Sequence, residues 1–196
     1  MDKLTNTEGD IVVWLNGLLG RSEAVDGAVY LLVSDYFVPL CICFWMLGLW
    51  FQGRDAEQRD RNQRAVLCGA IGLGFANLAV LIINQFAFRD RPIAGLELTN
   101  LLYAATDSSF PSNPAAVAFA AAMAIWLGNR RAAAPVFALA SVWCLMRVLN
   151  GLFYPTDILA GAAIGASVSW LIVMGLRRIE PVTTWVLEGA RFLRLA

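Results

Sequence analysis

The sequence contains no histidine, and charged residues make up only 15% of its 196 residues, with 15 basic and 15 acidic side chains in balance. The missing imidazole removes the side chain that most often moves protons or binds metal ions near neutral pH. The balanced charge gives no basic patch of the kind that binds nucleic acid, so no nucleic-acid partner is expected. The four cysteines (Cys41, Cys43, Cys68 and Cys144) lie in apolar segments and are expected to be small buried hydrophobes, with no metal site.

Apolar residues account for 59% of the chain, more than a soluble domain usually carries. Five long apolar runs explain the excess, and runs of about 20 residues cross the hydrocarbon core of a bilayer. The sequence therefore predicts an all-α integral membrane helical bundle with about five transmembrane helices, at residues 36–51, 65–87, 114–128, 132–146 and 158–176.

The chain is expected to be a single membrane domain over residues 1–196. Residues 1–35 are predicted to form N-terminal interfacial helices, at 9–19 and 25–34, because Arg21, Glu23 and Asp26 interrupt the apolar pattern there. Residues 36–176 are the five-span core. Residues 177–196 are predicted to be a cytoplasmic amphipathic tail.

Arginine placement predicts the orientation, because basic loops stay in the cytoplasm. The arginines that fall on one side of the five spans are Arg54, Arg59, Arg61, Arg64, Arg130, Arg131, Arg177, Arg178, Arg191 and Arg194. The C-terminus is therefore expected inside the cell and the loop at 89–113 outside. Five spans place the N-terminus outside, whereas a sixth crossing within 11–33 would reverse that end.

The remaining polar residues gather at the predicted outer face. They are Arg89, Asp90, Arg91, Asp107, Ser108, Ser109, Ser112, Asn113, Arg147 and Asp157. Ionisable residues at membrane depth are costly and usually face a cavity or the interior of the bundle. Arg89, Arg91 and Arg147, together with Ser112 and Asn113 at the start of the third span, are therefore expected to bind phosphate oxygens. Two structural alternatives stay open: Asn113 before Pro114 as an ordinary helix cap, and Arg147 with Asp157 as an ion pair.

The order Arg91-Pro92, Phe110-Pro111-Ser112 and Arg147 to Asp157 resembles the type 2 phosphatidic acid phosphatase family, whose helical core is shared with vanadium haloperoxidases. The family pattern is K-x6-R-P, P-S-G-H and S-R-x5-H-x3-D. The resemblance implies that Arg91, Arg147 and Ser112 bind phosphate and that Asp157 orients the nucleophilic histidine. It also implies a membrane lipid phosphate as the ligand, with the site facing the outside or periplasm of a bacterial inner membrane.

The catalytic half of the pattern is absent. The positions of the lysine, the acid histidine and the nucleophilic histidine hold Asn84, Pro114 and Phe153, while Asn113 and Met146 replace the glycine and the serine. Neither phenylalanine nor proline can attack phosphorus or release a proton. Asp107 and Asp157 are the residues that could rescue the chemistry, and Arg89 could supply the lost lysine charge. No cofactor is expected, and the missing histidine also excludes a vanadate ligand.

Three functions are compatible with these residues. The first is a membrane protein that binds the phosphate head of a phospholipid or a polyprenyl (di)phosphate at an outward-facing site, without phosphohistidine catalysis. Its role would be binding, transport or regulation, alone or with a partner membrane enzyme. The second is an active lipid-phosphate phosphatase or phosphotransferase with a rearranged mechanism. The third is a structural membrane subunit in which Arg91 and Arg147 form ion pairs with Asp90, Asp107 or Asp157.

Overall fold

The computed structural model describes residues 2–102 and 106–192, and every regular element in those ranges is a helix. The helices are α1 (Asp2–Asn16), α2 (Glu23–Val33), α3 (Phe37–Phe51), α4 (Ala56–Asn84), α5 (Pro92–Gly95), α6 (Asn113–Gly128), α7 (Arg130–Leu149), α8 (Pro155–Arg178) and α9 (Glu180–Phe192). The predicted all-α membrane bundle is confirmed. The side chain of Arg191 and the whole of Arg194, both of which contribute to the predicted orientation, lie outside the described residues.

Each of the five predicted apolar runs forms a helix, although the run at 65–87 extends three residues past the end of α4 at Asn84. By length and composition, α4, α7 and α8 are each able to cross a membrane. Helices α2 and α3 meet the same criteria as one span bent by 56°, and α6 is a shorter apolar helix of 16 residues. The predicted division at residue 35 between interfacial and spanning segments therefore falls at a bend, and it stays a prediction.

Helix α4 begins nine residues before its apolar run. Asp55 caps it by accepting a hydrogen bond of 2.7 Å from the backbone N–H of Gln58. Arg61 and Arg64 then pair with the acidic residues one turn earlier, Glu57 and Asp60, at 3.2 and 2.7 Å. Polar residues with good helix propensity thus extend the helix beyond the apolar run, and these two arginines lie on α4, not in a loop.

Helices α4, α6 and α8 pack closely against one another, with α7 against α6. The contact between α6 and α8 depends on small residues, since a Cβ atom at Gly161 would lie 2.2 Å from the carbonyl oxygen of Ser112. A Cβ atom at Gly165 would lie 2.0 Å from that of Ala116. Glycine at these two positions therefore allows the backbones of α6 and α8 to approach closely.

Helices α1 and α2 pack against α7 instead of lying free of the bundle. The side-chain amide of Asn16 donates to the carbonyl oxygens of Leu149 at 2.9 Å and Thr99 at 2.8 Å. The indole N–H of Trp143 donates to the carbonyl of Ser34 at 3.1 Å. These hydrogen bonds bring the N-terminal helices to the end of the bundle where α4 ends, α6 and α8 begin, and α7 ends.

Candidate functional site

Arg91 follows α4 in an extended segment and is held on three sides. Its Nη1 donates to the carbonyl oxygen of Leu152 at 2.9 Å, and its Nη2 contacts Asp107 Oδ1 at 2.9 Å. The guanidinium carbon lies 4.4 Å from the ring centroid of Phe153. Only 7% of Arg91 is exposed, so its charge sits in a largely desolvated place with Asp107 as its acidic partner.

Arg147 occupies the last turn of α7 and is 3% exposed. Its Nη2 forms an ion pair with Asp35, from the bend between α2 and α3, and the guanidinium carbon lies 4.8 Å from the ring centroid of Trp143. Its Nε is buried without a hydrogen-bond acceptor. The predicted alternative that Arg147 pairs with Asp157 is wrong, because Asp35 takes that position and Asp157 contacts Arg89 instead.

Asp157 is completely buried in the first turn of α8, where it accepts hydrogen bonds from Arg89 Nη1 at 2.7 Å and from the backbone N–H of Tyr154 at 2.9 Å. The second nitrogen of the same guanidinium, Nη2, contacts Glu8 Oε2 of α1 at 2.6 Å. Glu8 Oε1 in turn accepts from the backbone N–H of Thr156 at 3.3 Å. Arg89 is therefore shared between two buried carboxylates.

The pKa values of Glu8 and Arg89 reflect their pairing. Burial raises the pKa of Glu8, but the hydrogen bonds from Thr156 and Arg89 outweigh it and hold the pKa below its usual value. Burial alone would lower the pKa of Arg89, and its bonds to Glu8 and Asp157 raise it instead. Both ions are thus stabilised in their charged forms.

The start of α6 differs in detail from the prediction. Ser112, which is completely buried, is the N-cap and accepts from the backbone N–H of Ala115 at 3.5 Å. Asn113 is the first residue of the helix and Pro114 the second, so the prediction of Asn113 as the cap is wrong. The Ser112 N–H donates to the carbonyl oxygen of Asp157 at 3.0 Å, which fixes Ser112 at the cap position by joining the two helix starts.

Two further buried polar atoms near these helix ends lack partners. The amide oxygens of Asn84, at the end of α4, and Asn113, at the start of α6, accept no hydrogen bond. Together with Arg147 Nε they are three of the four such side-chain atoms found among the described residues. Buried polar atoms are normally satisfied, so this end of the bundle has unused capacity for a polar ligand.

Phe153 lies inside this end of the bundle with only 2% of its surface exposed. It packs with Val33 and Leu152, and the guanidinium of Arg91 covers its ring. The position is therefore filled by an apolar side chain directly beside a desolvated arginine.

The structure brings the predicted residues Arg89, Arg91, Asp107, Ser112, Arg147 and Asp157 to one end of the bundle, and it adds two residues that were not predicted from the sequence. Glu8 and Asp35 are both carboxylate partners of site arginines. Asp35 lies between two apolar helices, and an acidic residue in that position is itself a signal of function or pairing. Glu8 gives no such signal, since its surroundings in sequence resemble those of Asp10.

Replacing Glu8 with glutamine is expected to remove part of the acid sensitivity of the protein. Because the pKa of Glu8 is lowered by folding, its carboxylate stabilises the fold above the usual carboxyl pKa of about 4, and this stabilisation is lost as the pH falls through the lowered value. Thermal unfolding in detergent between neutral and acidic pH checks this. Asp10→Asn, an exposed change in the same helix, is the control, and identical pH profiles for Glu8→Gln and the unaltered protein would contradict the role of Glu8.

The chain is similar to known proteins both in sequence and in fold. The family model described as the PAP2 superfamily matches residues 65–180, which is more than half of the chain. Undecaprenyl-diphosphatase BcrC from Bacillus subtilis (strain 168) is 24% identical over 157 residues, covering 80% of this chain and 78% of that protein.

Two solved structures share the fold. LpxE from Aquifex aeolicus superposes with a TM-score of 0.63 and 22% identity, covering 84% of this chain and 93% of that one. The first transmembrane PAP2 type phosphatidylglycerolphosphate phosphatase from Bacillus subtilis superposes with a TM-score of 0.62 and 19% identity, covering 91% and 89%.

Proposed function

The chain belongs to the PAP2 superfamily, and from that premise we propose that it binds the phosphate head of a membrane lipid without forming a phosphohistidine. The ligand is a phospholipid or a polyprenyl mono- or diphosphate, the lipid classes indicated by the names of the similar proteins. The site is the end of the bundle that carries Arg91 and Arg147, and we place it at the outer face of a bacterial inner membrane, with the C-terminus in the cytoplasm. The protein presents, transports or senses the lipid, or regulates a membrane enzyme that consumes it.

The observation that carries the proposal is the unpartnered nitrogen of Arg147. A guanidinium that is 3% exposed has given up most of its hydration, yet its Nε has no acceptor. A phosphate oxygen supplies one, and the fork of Nε and Nη matches two oxygens of a phosphate group.

The exposure of the acidic partners supports the same proposal. The side chains of Asp107 and Asp35, which pair with Arg91 and Arg147, are 72% and 41% exposed. Exposed carboxylates contribute little to an ion pair, so an incoming phosphate can displace them and keep the arginines neutralised. The partners of Arg89 differ, because Asp157 and Glu8 are buried. We therefore assign Arg91 and Arg147 to the ligand, and Arg89 to the support of α1 and α8.

The absence of catalysis rests on the side chains at the reacting positions. By the correspondence of motifs, Phe153 stands where the family nucleophile stands and Pro114 where the proton donor stands, and the chain has no histidine to replace either. Phe153 is buried against Leu152 and covered by Arg91, so the side chain at this position is apolar and enclosed.

Two other functions have an observation in their favour. Each site arginine has a carboxylate partner, as a purely structural subunit would require. Asp107 is exposed beside Arg91 and is the better placed of the two rescue carboxylates for a rearranged phosphatase, since Asp157 is buried and already engaged. The unpartnered Arg147 Nε weighs against the structural subunit. Phenylalanine and proline at positions 153 and 114, which neither attack phosphorus nor release a proton, weigh against the rearranged phosphatase.

A direct assay separates the functions. We expect the purified protein to release phosphate from undecaprenyl diphosphate and from phosphatidic acid no faster than its Arg147→Ala variant, while retaining either lipid more tightly than that variant in native mass spectrometry. Release above the variant, abolished by Asp107→Asn, would establish the rearranged phosphatase. Equal lipid retention by the two proteins would favour the structural subunit.

A further inference from the structure

A second basic cluster lies at the opposite end of the bundle from the candidate site. A cavity of about 340 Å³ opens there between the first turns of α4, the last turns of α6 and α8, and the start of α9. Its volume falls within the range of small-molecule sites, roughly 300–1,000 Å³. Twenty residues of α4 separate Arg64 from Asn84, or about 30 Å along a helix, so the cavity is remote from Arg91 and Arg147.

The cavity combines a basic rim with apolar walls. Arg61, Arg64 and Arg177 line it, and no acidic side chain does so among the residues that the structure describes. The apolar lining is made of side chains from α4, α6 and α8, namely Ala65, Cys68, Ala124, Leu127, Val173 and Leu176. The basic rim suits an anionic group, and the apolar walls suit a hydrocarbon chain attached to it.

The three arginines are neutralised to different degrees. Arg64 pairs with Asp60 at 2.7 Å and donates to the hydroxyls of Thr183 at 2.8 Å and Thr184 at 3.2 Å, which ties α9 across the mouth of the cavity. Arg61 pairs with Glu57, and both side chains are more than half exposed, so that pair contributes little. Arg177 donates to the carbonyl oxygen of Leu127 at 2.8 Å and has no ion pair among the described side chains.

Basic residues at the end of a membrane helix often serve only to fix topology. Arg178 is such a residue, since it follows Arg177 on an exposed position and does not line the cavity. Arg61 and Arg177 differ from it because they come from two different helices and converge on one cavity with buried apolar walls.

We propose that this cavity is a second lipid site, which binds the phosphomonoester head of an anionic lipid from the membrane leaflet at that end. Arg61 and Arg177 contact the phosphate, and the walls from α4, α6 and α8 hold the first part of an acyl chain. Arg64 holds α9 over the bound head group. This site is independent of the proposed function, because it shares none of the residues assigned to the ligand at the other end.

The test counts bound lipids by native mass spectrometry of the full chain titrated with phosphatidic acid. The double variant Arg61→Gln/Arg177→Gln is expected to bind one tight phosphatidic acid molecule fewer than the unaltered protein. The control Arg59→Gln/Arg178→Gln removes the same charge from α4 and α8 outside the cavity lining and is expected to bind the same number. The difference between the two variants does not depend on whether the Arg91 and Arg147 site binds lipid.

Three outcomes would overturn the proposal: an equal loss in both double variants, no loss in either, or displacement of the lipid by inorganic phosphate alone. An equal loss in both variants would show that lipid binding depends only on general surface charge. Displacement by inorganic phosphate would show that the cavity binds a free anion and not a lipid. A second variant keeps the test independent of charge. Ala124→Leu fills the apolar wall while leaving every arginine, and it is expected to exclude the same lipid molecule.

Discussion

Introducing two imidazoles at the candidate site is expected to produce a phosphatase. The variant carries four substitutions: Asn84→Lys, Asn113→Gly, Pro114→His and Phe153→His. It should release phosphate from undecaprenyl diphosphate at least about 100-fold faster than the unaltered protein, because a positioned acid or base alone increases the rate by roughly 10²–10⁴-fold. Two other residues of the motif are already close to position 153: Arg91 covers the ring there, and Asp157 lies on the helix that follows with its carboxylate fixed.

The local structure can accommodate the substitutions at positions 113, 114 and 153. Pro114 is the second residue of α6, where its missing N–H is not needed by the helix, so a residue with an N–H fits there as well. The side-chain amide oxygen of Asn113 accepts no hydrogen bond, so Asn113→Gly breaks no hydrogen bond to that oxygen. Phe153→His makes the buried side chain smaller, beside a guanidinium that also pairs with Asp107.

The matched control keeps Asn84→Lys, Asn113→Gly and Pro114→His, and it carries Phe153→Leu in place of Phe153→His. It has the proposed proton donor but no nucleophile, so its release should stay at the level of the unaltered protein. Release by both combinations would show that another group attacks phosphorus. If both retain lipid and neither releases phosphate, the correspondence of Phe153 and Pro114 to the catalytic histidines is wrong.

The fold was largely predictable because membrane helices must satisfy their backbone groups internally, and so each apolar run had to be a helix. The ends of the helices were less predictable. Helix α4 begins at Ala56 because capping by Asp55 and ion pairs such as Arg64–Asp60 stabilise a polar extension that hydropathy does not detect. The docking of α1 on α7 depends on Asn16, a single polar residue whose acceptors are fixed by tertiary structure.

The sequence predicted which ionisable residues gather at this end of the bundle, but it did not predict how they pair. Ionisable residues at membrane depth identified Arg91, Arg147 and Asp157, but no feature of the sequence assigns Arg147 to Asp35, 112 residues away. The cap of α6 shows a similar limit. Serine and asparagine are nearly equal as N-caps, so only the docking of the Ser112 N–H onto α8 decides between them.

Changing Arg147 and its partner separately is expected to move lipid affinity in opposite directions. Arg147→Ala should weaken the binding of undecaprenyl diphosphate by about 100-fold or more, because losing one member of a buried, hydrogen-bonded charge pair costs roughly 2–5 kcal/mol. Asp35→Asn should strengthen it by about two- to fivefold, because the lipid phosphate then competes with no carboxylate for Arg147 and an exposed pair is worth at most about 1 kcal/mol. Titration of lipid into protein in detergent measures both.

Asp90→Asn is the control for the change of charge. Asp90 is exposed near the same helix ends and forms no ion pair among the described residues, so its removal should alter affinity by less than the removal of Asp35.

A structural role for Arg147 predicts a different pattern. The pair with Asp35 would then hold α7 to the bend between α2 and α3, and Asp35→Asn would strand a buried charge and cost about 3–5 kcal/mol of stability. Its unfolding temperature would fall as far as that of Arg147→Ala, with no gain in lipid binding. Higher affinity, with a loss of stability that bound lipid reverses, would instead mean that Asp35 occupies, in the free protein, the position that a lipid phosphate takes.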